Sequence, residues 1–415
     1  MSRSLTQALL VRDRDVIETT ARSIGTPDEI PPRSTPATGS GPDQFEVITD
    51  IGFLDALKDH WHALCERVSR HYYTQTYEWS SCNWEFLHAP KGHRLHCVVA
   101  RNGGRIVLIW PFVISREFLS PVARPLGNSY GEYTTVLVED GPSAHLRVSE
   151  ALRLLRASCR CSVVILPYVP AETELDAILS VDKAARIDVA VPTFSVRWEG
   201  FRDWDAYLGS LKAADRREFG RTRRRLEERG KLTFDVVDGG ECTALVDWMI
   251  AQKLQQLSRT NRRSSLLERP EYRNFLLTAI ARPSPTGRFV MFTLKLRGQL
   301  LAVLLARLDR VRVEGVITVY DPAYSKFGPG QLLWETCLKW ACERRLEFDL
   351  RGGDFQYKRN WTNHESRATS YEIANSFGSA AYFIAKSLSY RAYRFRELVP
   401  QSWRESVKSV IRRRQ

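Results

Sequence analysis

Apolar residues recur at helical spacing from Phe53 to Val68, through Leu54, Leu57, Trp61, Leu64 and Cys65. That pattern predicts an amphipathic helix. Tyr77 to Leu87 reads as a second helix, aromatic on one face. Two apolar runs follow, Leu95 to Ala100 and Ile106 to Ile114, joined by Arg-Asn-Gly-Gly-Arg. Asn102-Gly103 supplies the positive-φ turn that a hairpin needs. The same order returns about 190 residues later, with a helix from Glu271 to Ala281 and strands Phe289 to Leu296 and Leu300 to Leu308. These strands meet at Arg297-Gly298-Gln299. The repetition fits two related halves, and equally a chance recurrence of a common unit.

Between the two units, Tyr207 to Gly230 reads as one long helix. Leu208, Leu211, Phe219 and Leu226 would face a core, and arginines from Arg216 to Arg229 crowd the remainder. Gly230 is its stop signal. Further on, the apolar run Ile317 to Tyr320 is followed by Gly328-Pro329-Gly330. Leu332, Leu333, Thr336, Cys337 and Trp340 then recur at helical spacing. A short strand, Leu346 to Leu350, leads into the polar loop Arg351 to Trp361. The alternation of helices and strands predicts a mixed α/β fold.

The chain's 415 residues exceed one ordinary core and predict two or three domains. Residues 1–43, where Gly25 to Asp43 is dense in Pro, Gly, Ser and Thr, are expected to be disordered or loosely attached. Two halves, 44–195 and 196–378, would follow, with a basic helical tail over 379–415. The net charge of +13 is local: Lys212 to Lys231 carries +5 and Lys386 to Gln415 carries +7. Such concentration argues against a whole-surface nucleic-acid reading. The helix 212–231 is either a solvated face or a docking surface for a polyanion: a nucleotide-bearing substrate, RNA or anionic lipid. In the tail, Trp403, Val407, Val410 and Ile411 share one side. That suits an amphipathic helix on an anionic surface, or a solubilising segment. The eight cysteines have no zinc-ligand spacing and read as reduced, buried thiols, and no metal site is expected. No signal peptide or spanning run is visible, which predicts a cytoplasmic protein, with contact to the inner membrane left open.

The chemistry concentrates after Ile317. A helix start offers unpaired N–H groups and a partial positive charge, and flanking glycines let a phosphate approach. Lys326, Phe327, Gly328, Pro329, Gly330, Gln331 and Leu332 are therefore the candidate anion-binding turn; the alternative is a structural turn before a helix. Neither a nucleoside-triphosphate loop nor a dinucleotide fingerprint is present. Glu314, Tyr320, Asp349 and Lys358 are candidates for proton handling. Their alternatives are an edge ion pair, a core aromatic, a turn cap and a solvated lysine.

Taken in order, Tyr320-Asp321-Pro322, Phe327 to Leu333, Phe348 to Gly353 and Tyr357 to Trp361 resemble the GNAT acyltransferase superfamily. The branch is the CelD/BcsL type of cellulose and exopolysaccharide biosynthesis, related to the Fem-type transferases. Thr76 to Trp79 and the basic helix fit the same pattern, so the resemblance spans about residues 45–375. It implies two tandem GNAT-like halves, each a mixed sheet flanked by helices. It also implies an acyl-CoA donor, usually acetyl-CoA, with its diphosphate on Phe327 to Leu332. An amine acceptor would attack the thioester directly. Ser325 stands where the usual loop has Gln or Arg, with Lys326 beside it. The Fem relatives imply the alternative of an aminoacyl-tRNA donor, and the incomplete loop leaves a non-catalytic regulator as a third reading.

Overall fold

Glycine decides both hairpins, in a computed structural model that describes residues 41–128, 132–238, 241–259 and 264–398. The first 40 residues of the expected loose segment and the expected amphipathic stretch at 402–414 lie outside these. The first part contains β1 (Gln44–Ile48), α1 (Ile51–Asp55), α2 (Lys58–Arg67), α3 (Tyr77–Asn83), β2 (Arg94–Asn102), β3 (Arg105–Glu117), β4 (Ser120–Pro125) and β5 (Leu137–Val138). Next come α4 (Ala144–Ser158), β6 (Val163–Pro170), α5 (Glu174–Val181), β7 (Ala185–Val196), α6 (Trp204–Ser210), α7 (Ala213–Glu227) and β8 (Leu232–Asp238). Then follow α8 (Cys242–Arg259), α9 (Pro270–Ala281), β9 (Arg288–Leu296), β10 (Gln299–Leu308) and β11 (Arg312–Tyr320). The last are α10 (Pro329–Glu343), β12 (Glu347–Gly352), α11 (Gln356–Trp361), β13 (His364–Ala374) and α12 (Ser379–Leu398).

Asn102 pairs with Arg105, so the first turn is Gly103-Gly104, with φ of 54° and 79°. The positive-φ pair is therefore one residue later than Asn102-Gly103. The second turn is Arg297-Gly298, with φ of 52° and 81°. Both turns thus have two left-handed residues, matching the twist of the paired strands.

Two expected helices are broken. The Phe53–Val68 pattern splits into α1 and α2, and Phe53 is exposed while Leu54, Leu57, Trp61, Leu64 and Cys65 are buried. The Tyr207–Gly230 pattern splits into α6 and α7, because Leu211 takes an extended ψ of 159°. Phe219, Thr222 and Leu226 bury the inner face of α7.

The thirteen strands of the described residues form one mixed sheet, in the order β1-β2-β3-β4-β6-β13-β7-β12-β11-β10-β9-β8, with β5 against β3. Helices cover both faces. One core lies under α6, α7, α10 and α11, and another under α3, α8 and α9. A third lies under α4 and α5, and a fourth under α1 and α2. The late strand β13 pairs antiparallel with both β6 and β7, deep among strands from earlier in the chain.

Candidate active site

The parallel strands β11 and β12 pair only through Arg312↔Glu347, Val313↔Phe348 and Glu314↔Asp349. Beyond that point they part. β11 continues to Tyr320 against β10, while β12 continues to Gly352 against β7. The sheet therefore opens at the ends of two parallel strands. Because α10 follows β11, its N-terminus lies at this open end. Gly315 allows the close packing at the fork: a Cβ there would stand 3.3 Å from the Asp349 carbonyl oxygen and 3.4 Å from Trp334.

Glu314 and Asp349 sit side by side at the fork. Glu314 is fully enclosed and accepts a hydrogen bond from the Tyr73 N–H at 3.1 Å. Its oxygens lie 3.4 Å from Arg351 Nη1 and 3.7 Å from Arg312 Nη2. Burial raises its carboxyl above the usual range, and the two guanidinium groups oppose this. Asp349 accepts from the Arg351 N–H at 2.7 Å and from the Tyr133 hydroxyl at 3.4 Å. Arg351 also donates to the Tyr73 hydroxyl at 2.8 Å. Burial drives both tyrosines well above their ordinary range, so they are neutral donors. Arg351 holds a left-handed φ of 63°, an uncommon conformation for a bulky residue.

Two buried lysines donate to backbone carbonyls of these strands. Lys358 Nζ donates to Gly352 O at 2.7 Å and Arg351 O at 3.2 Å. Lys253, on α8, reaches Thr318 O at 3.5 Å. Burial lowers Lys253 to about 8. Burial lowers Lys358 to about 7, with Asp349 opposing and Arg351 and Lys253 assisting. A lysine so shifted exchanges its proton near neutral pH.

The expected anion-binding turn is more enclosed than its composition implies. Lys326 and Phe327 end a 3-10 turn, Pro322–Phe327, that the sequence pattern does not reveal. Gly328 caps α10 with φ 65° and ψ 51°, and Pro329 is its first residue. Gly330, Gln331 and Leu332 are buried in the first turn. The Gln331 N–H turns back to Gly328 O at 3.2 Å. The Gln331 side chain is fully buried, and neither amide atom has a hydrogen-bond partner among the described residues. The basic helix α7 lies over this end. The Arg229 guanidinium caps the Phe327 ring at 3.9 Å, and Arg223 pairs with Glu335 on α10.

Glu314, Asp349 and Lys358 are thus brought together, and Tyr320 is not. An extra residue, Val316, bulges between the pairs Leu305↔Ile317 and Ala306↔Gly315. The bulge reverses the alternation, so Tyr320 joins the core beneath α10 while Glu314 faces Tyr73. Sequence reading missed Lys253, Arg351, Tyr73 and Tyr133 as members of this cluster. Only the Thr76–Trp79 motif hints at the Tyr73 segment. Its Trp79 donates to Gly127 O at 2.7 Å, joining the segment to the loop after β4.

Residues 213–359, which include the fork, the turn and Lys358, match the family model described as an acetyltransferase (GNAT) domain. Those residues are thus similar to a GNAT acetyltransferase domain. The chain's fold is similar to that of FemX, at 11% identity and a TM-score of 0.53, covering 77% of this chain and 96% of that one. It is also similar to a conserved protein of unknown function from Bacteroides thetaiotaomicron, at 11% identity and a TM-score of 0.50, covering 77% and 97%. A tandem GNAT protein from the clavulanic acid biosynthesis pathway matches at 14% identity and a TM-score of 0.45, covering 80% and 99%. No curated protein sequence matches the chain. Among the described residues, no helix is long and apolar enough to cross a membrane.

Proposed function

We propose that the protein moves an acyl group from an acyl-CoA, acetyl-CoA foremost, to an amine on a sugar precursor or small polar metabolite. The observation that carries this reading is the fork between β11 and β12, with buried acid–base groups at its base and the α10 start at its mouth. The diphosphate would lie against Lys326 to Leu332, where Gln331 keeps an unpartnered amide. The amine attacks the thioester carbonyl, the C–N bond forms and the C–S bond breaks. The amine's proton passes to Lys358 or Asp349, and the thiolate takes one from Tyr320 on the α10 side. Catalysis here is positioning plus proton transfer. The reading takes 44–195 and 196–378 as the two halves, places the chain in the cytoplasm, and assigns it to the CelD/BcsL branch of exopolysaccharide synthesis.

Calorimetric titration with acetyl-CoA tests it. Binding is expected in the wild type and should weaken at least tenfold in Gly328→Val, whose φ of 65° disfavours a branched side chain. Absence of heat in the wild type would sink the reading. A second reading, a Fem-like transfer from aminoacyl-tRNA, is favoured by one feature. Arg217, Arg221, Arg224 and Arg225 on α7, and Arg229 just past its end, are all exposed over the α10 start. It predicts RNA binding that falls steeply with salt. Indifference to RNA at low salt removes it.

A further inference from the structure

At one end of the sheet, large apolar side chains stand exposed on adjacent turns. β4 and β6 start side by side, with Val122 beside Val163. β13 ends against them, with Ala374 paired to Val163. β7 starts there too, since Ala185 pairs with Ile373. The β3–β4, α4–β6, α5–β7 and β13–α12 turns therefore share this end. The Ser162 N–H donates to Pro121 O at 2.7 Å, and the Asn375 N–H to Ser162 O at 2.9 Å. Asn375 Nδ2 donates to Arg156 O at 2.9 Å, and Arg156 pairs with Asp182 at 3.2 Å. On this braced base Leu119 is 91% exposed, Val181 79% and Phe377 fully. Phe118 is 44% exposed and lies edge-on to Tyr382 of α12, ring centroids 5.7 Å apart.

The β3–β4 hairpin is the informative turn. Glu117 pairs with Ser120, so its tip is Phe118-Leu119, with φ of 48° and 63°. Both tip residues are left-handed, as at Gly103-Gly104, and here neither is glycine. Asn-Gly would make such a turn without strain. A bulky side chain at positive φ costs free energy, and such strain gathers at ligand-binding sites. The surroundings are positively charged. Arg116, Arg160, Lys183 and Arg186 are exposed. None of the four has an ion-pair partner among the described residues. The carboxylates at this end are already paired: Glu117 with Arg124, Asp182 with Arg156, and Asp188 and Glu372 with Lys386.

We propose that this end of the sheet docks on an anionic lipid surface. Phe118, Leu119 and Phe377 enter the boundary between headgroups and acyl chains, and the four unpaired cations around them meet lipid phosphates. Exposed apolar tips ringed by unpaired basic groups are the composition that such an interface favours. A second copy of the chain fits less well, because a symmetric contact would set these cations against one another. The docking surface is independent of the acyl-transfer reading and shares no residue with the fork.

The test is co-sedimentation of the full chain with vesicles of phosphatidylcholine and phosphatidylglycerol in equal parts, and of phosphatidylcholine alone. Binding is expected to the anionic vesicles and should weaken as salt rises. The double variant Leu119→Asp, Phe377→Asp should bind at least about tenfold more weakly, because both apolar anchors then carry charge. Arg160→Glu should weaken binding and flatten its salt dependence. Leu146→Asp, at an exposed position near the start of α4, should bind like the wild type. Unchanged urea midpoints check that the variants fold. If the double variant does not fold, Leu119→Asn decides alone by weaker binding, since asparagine suits a left-handed turn. No binding to anionic vesicles at low salt overturns the proposal. Undiminished binding in the Leu119 variants also overturns it and assigns the contact to another segment. So does a dimer that the double variant dissociates, with no vesicle binding, which assigns this end to a second copy.

Discussion

Lys358 is the residue on which pH acts most directly. Burial holds its ammonium near 7, against an ordinary value of 10.5. If its neutral form accepts the proton of the attacking amine, kcat should climb as pH rises through about 7. Lys358→Met should flatten that limb, and a pH–rate profile of both proteins checks it. The same shift affects stability. Between about 7 and 10.5 the unfolded chain holds a proton on this lysine that the folded chain does not. Stability therefore grows as pH rises across that window, and below it the contribution is flat. From pH 7 to 9 the gain from this group should be on the order of 2 kcal/mol. Urea midpoints at the two pH values should show it, and it should be missing in Lys358→Met. Lys253, held near 8, adds in the same direction. Glu314 is the counterpart of opposite charge. Its carboxylate balances Arg351 and Arg312 inside the fold, so Glu314→Gln leaves two buried guanidinium groups short of charge. A loss of about 3 kcal/mol in chemical denaturation is expected.

At the scale of elements, the fork depends on what fails to pair. β11 and β12 could have continued as neighbours, but β12 turns to β7 and β11 keeps to β10. Gly315 lets the Asp349 backbone and Trp334 of α10 meet at the branching point. Gly315→Val should push them apart by a few tenths of an ångström and cost about 1–3 kcal/mol. It should also depress turnover more than it depresses CoA affinity, because the strain falls on Asp349 rather than on the α10 turn. Comparing kcat with the calorimetric Kd separates the two effects. The basic helix α7 shows how an element's surroundings alter its meaning. Its charge run reads as either a solvated face or a polyanion dock, and Arg223, with Arg229 just past its end, ties it to Glu335 and Phe327 at the start of α10.

For the whole molecule, β13 is the decisive strand. It enters between β6 and β7, so the early strands complete their sheet only after residues 364–374 are in place. Contacts so distant in sequence must form together with the rest of the sheet. Unfolding by urea should therefore follow one transition, with tryptophan fluorescence and far-UV circular dichroism coinciding. Two separated midpoints would contradict it. A chain ending at Asn363 would leave the edges of β6 and β7 unpaired, and it is expected to aggregate even with residues 44–195 intact.

What the sequence determined by itself is local. The glycines at 103–104 and 298 place two tight hairpins, since left-handed backbone is a property of one or two residues. The Gly-Pro-Gly turn and the periodicity after it place α10. Glu314, Asp349 and Lys358 are legible as chemistry because polar residues stand beside apolar strands. The tertiary structure alone decided the rest. The bulge at Val316 turns Tyr320 away from Glu314, which depends on pairing with β10. Lys253, Tyr73 and Tyr133 come from segments far along the chain and are recruited by packing. Asp349, Ser195 and His364 become neighbours only because three strands from different regions align in register. Short-range backbone preference can be read residue by residue. Register and burial belong to pairs of distant segments, and neither member carries that information alone.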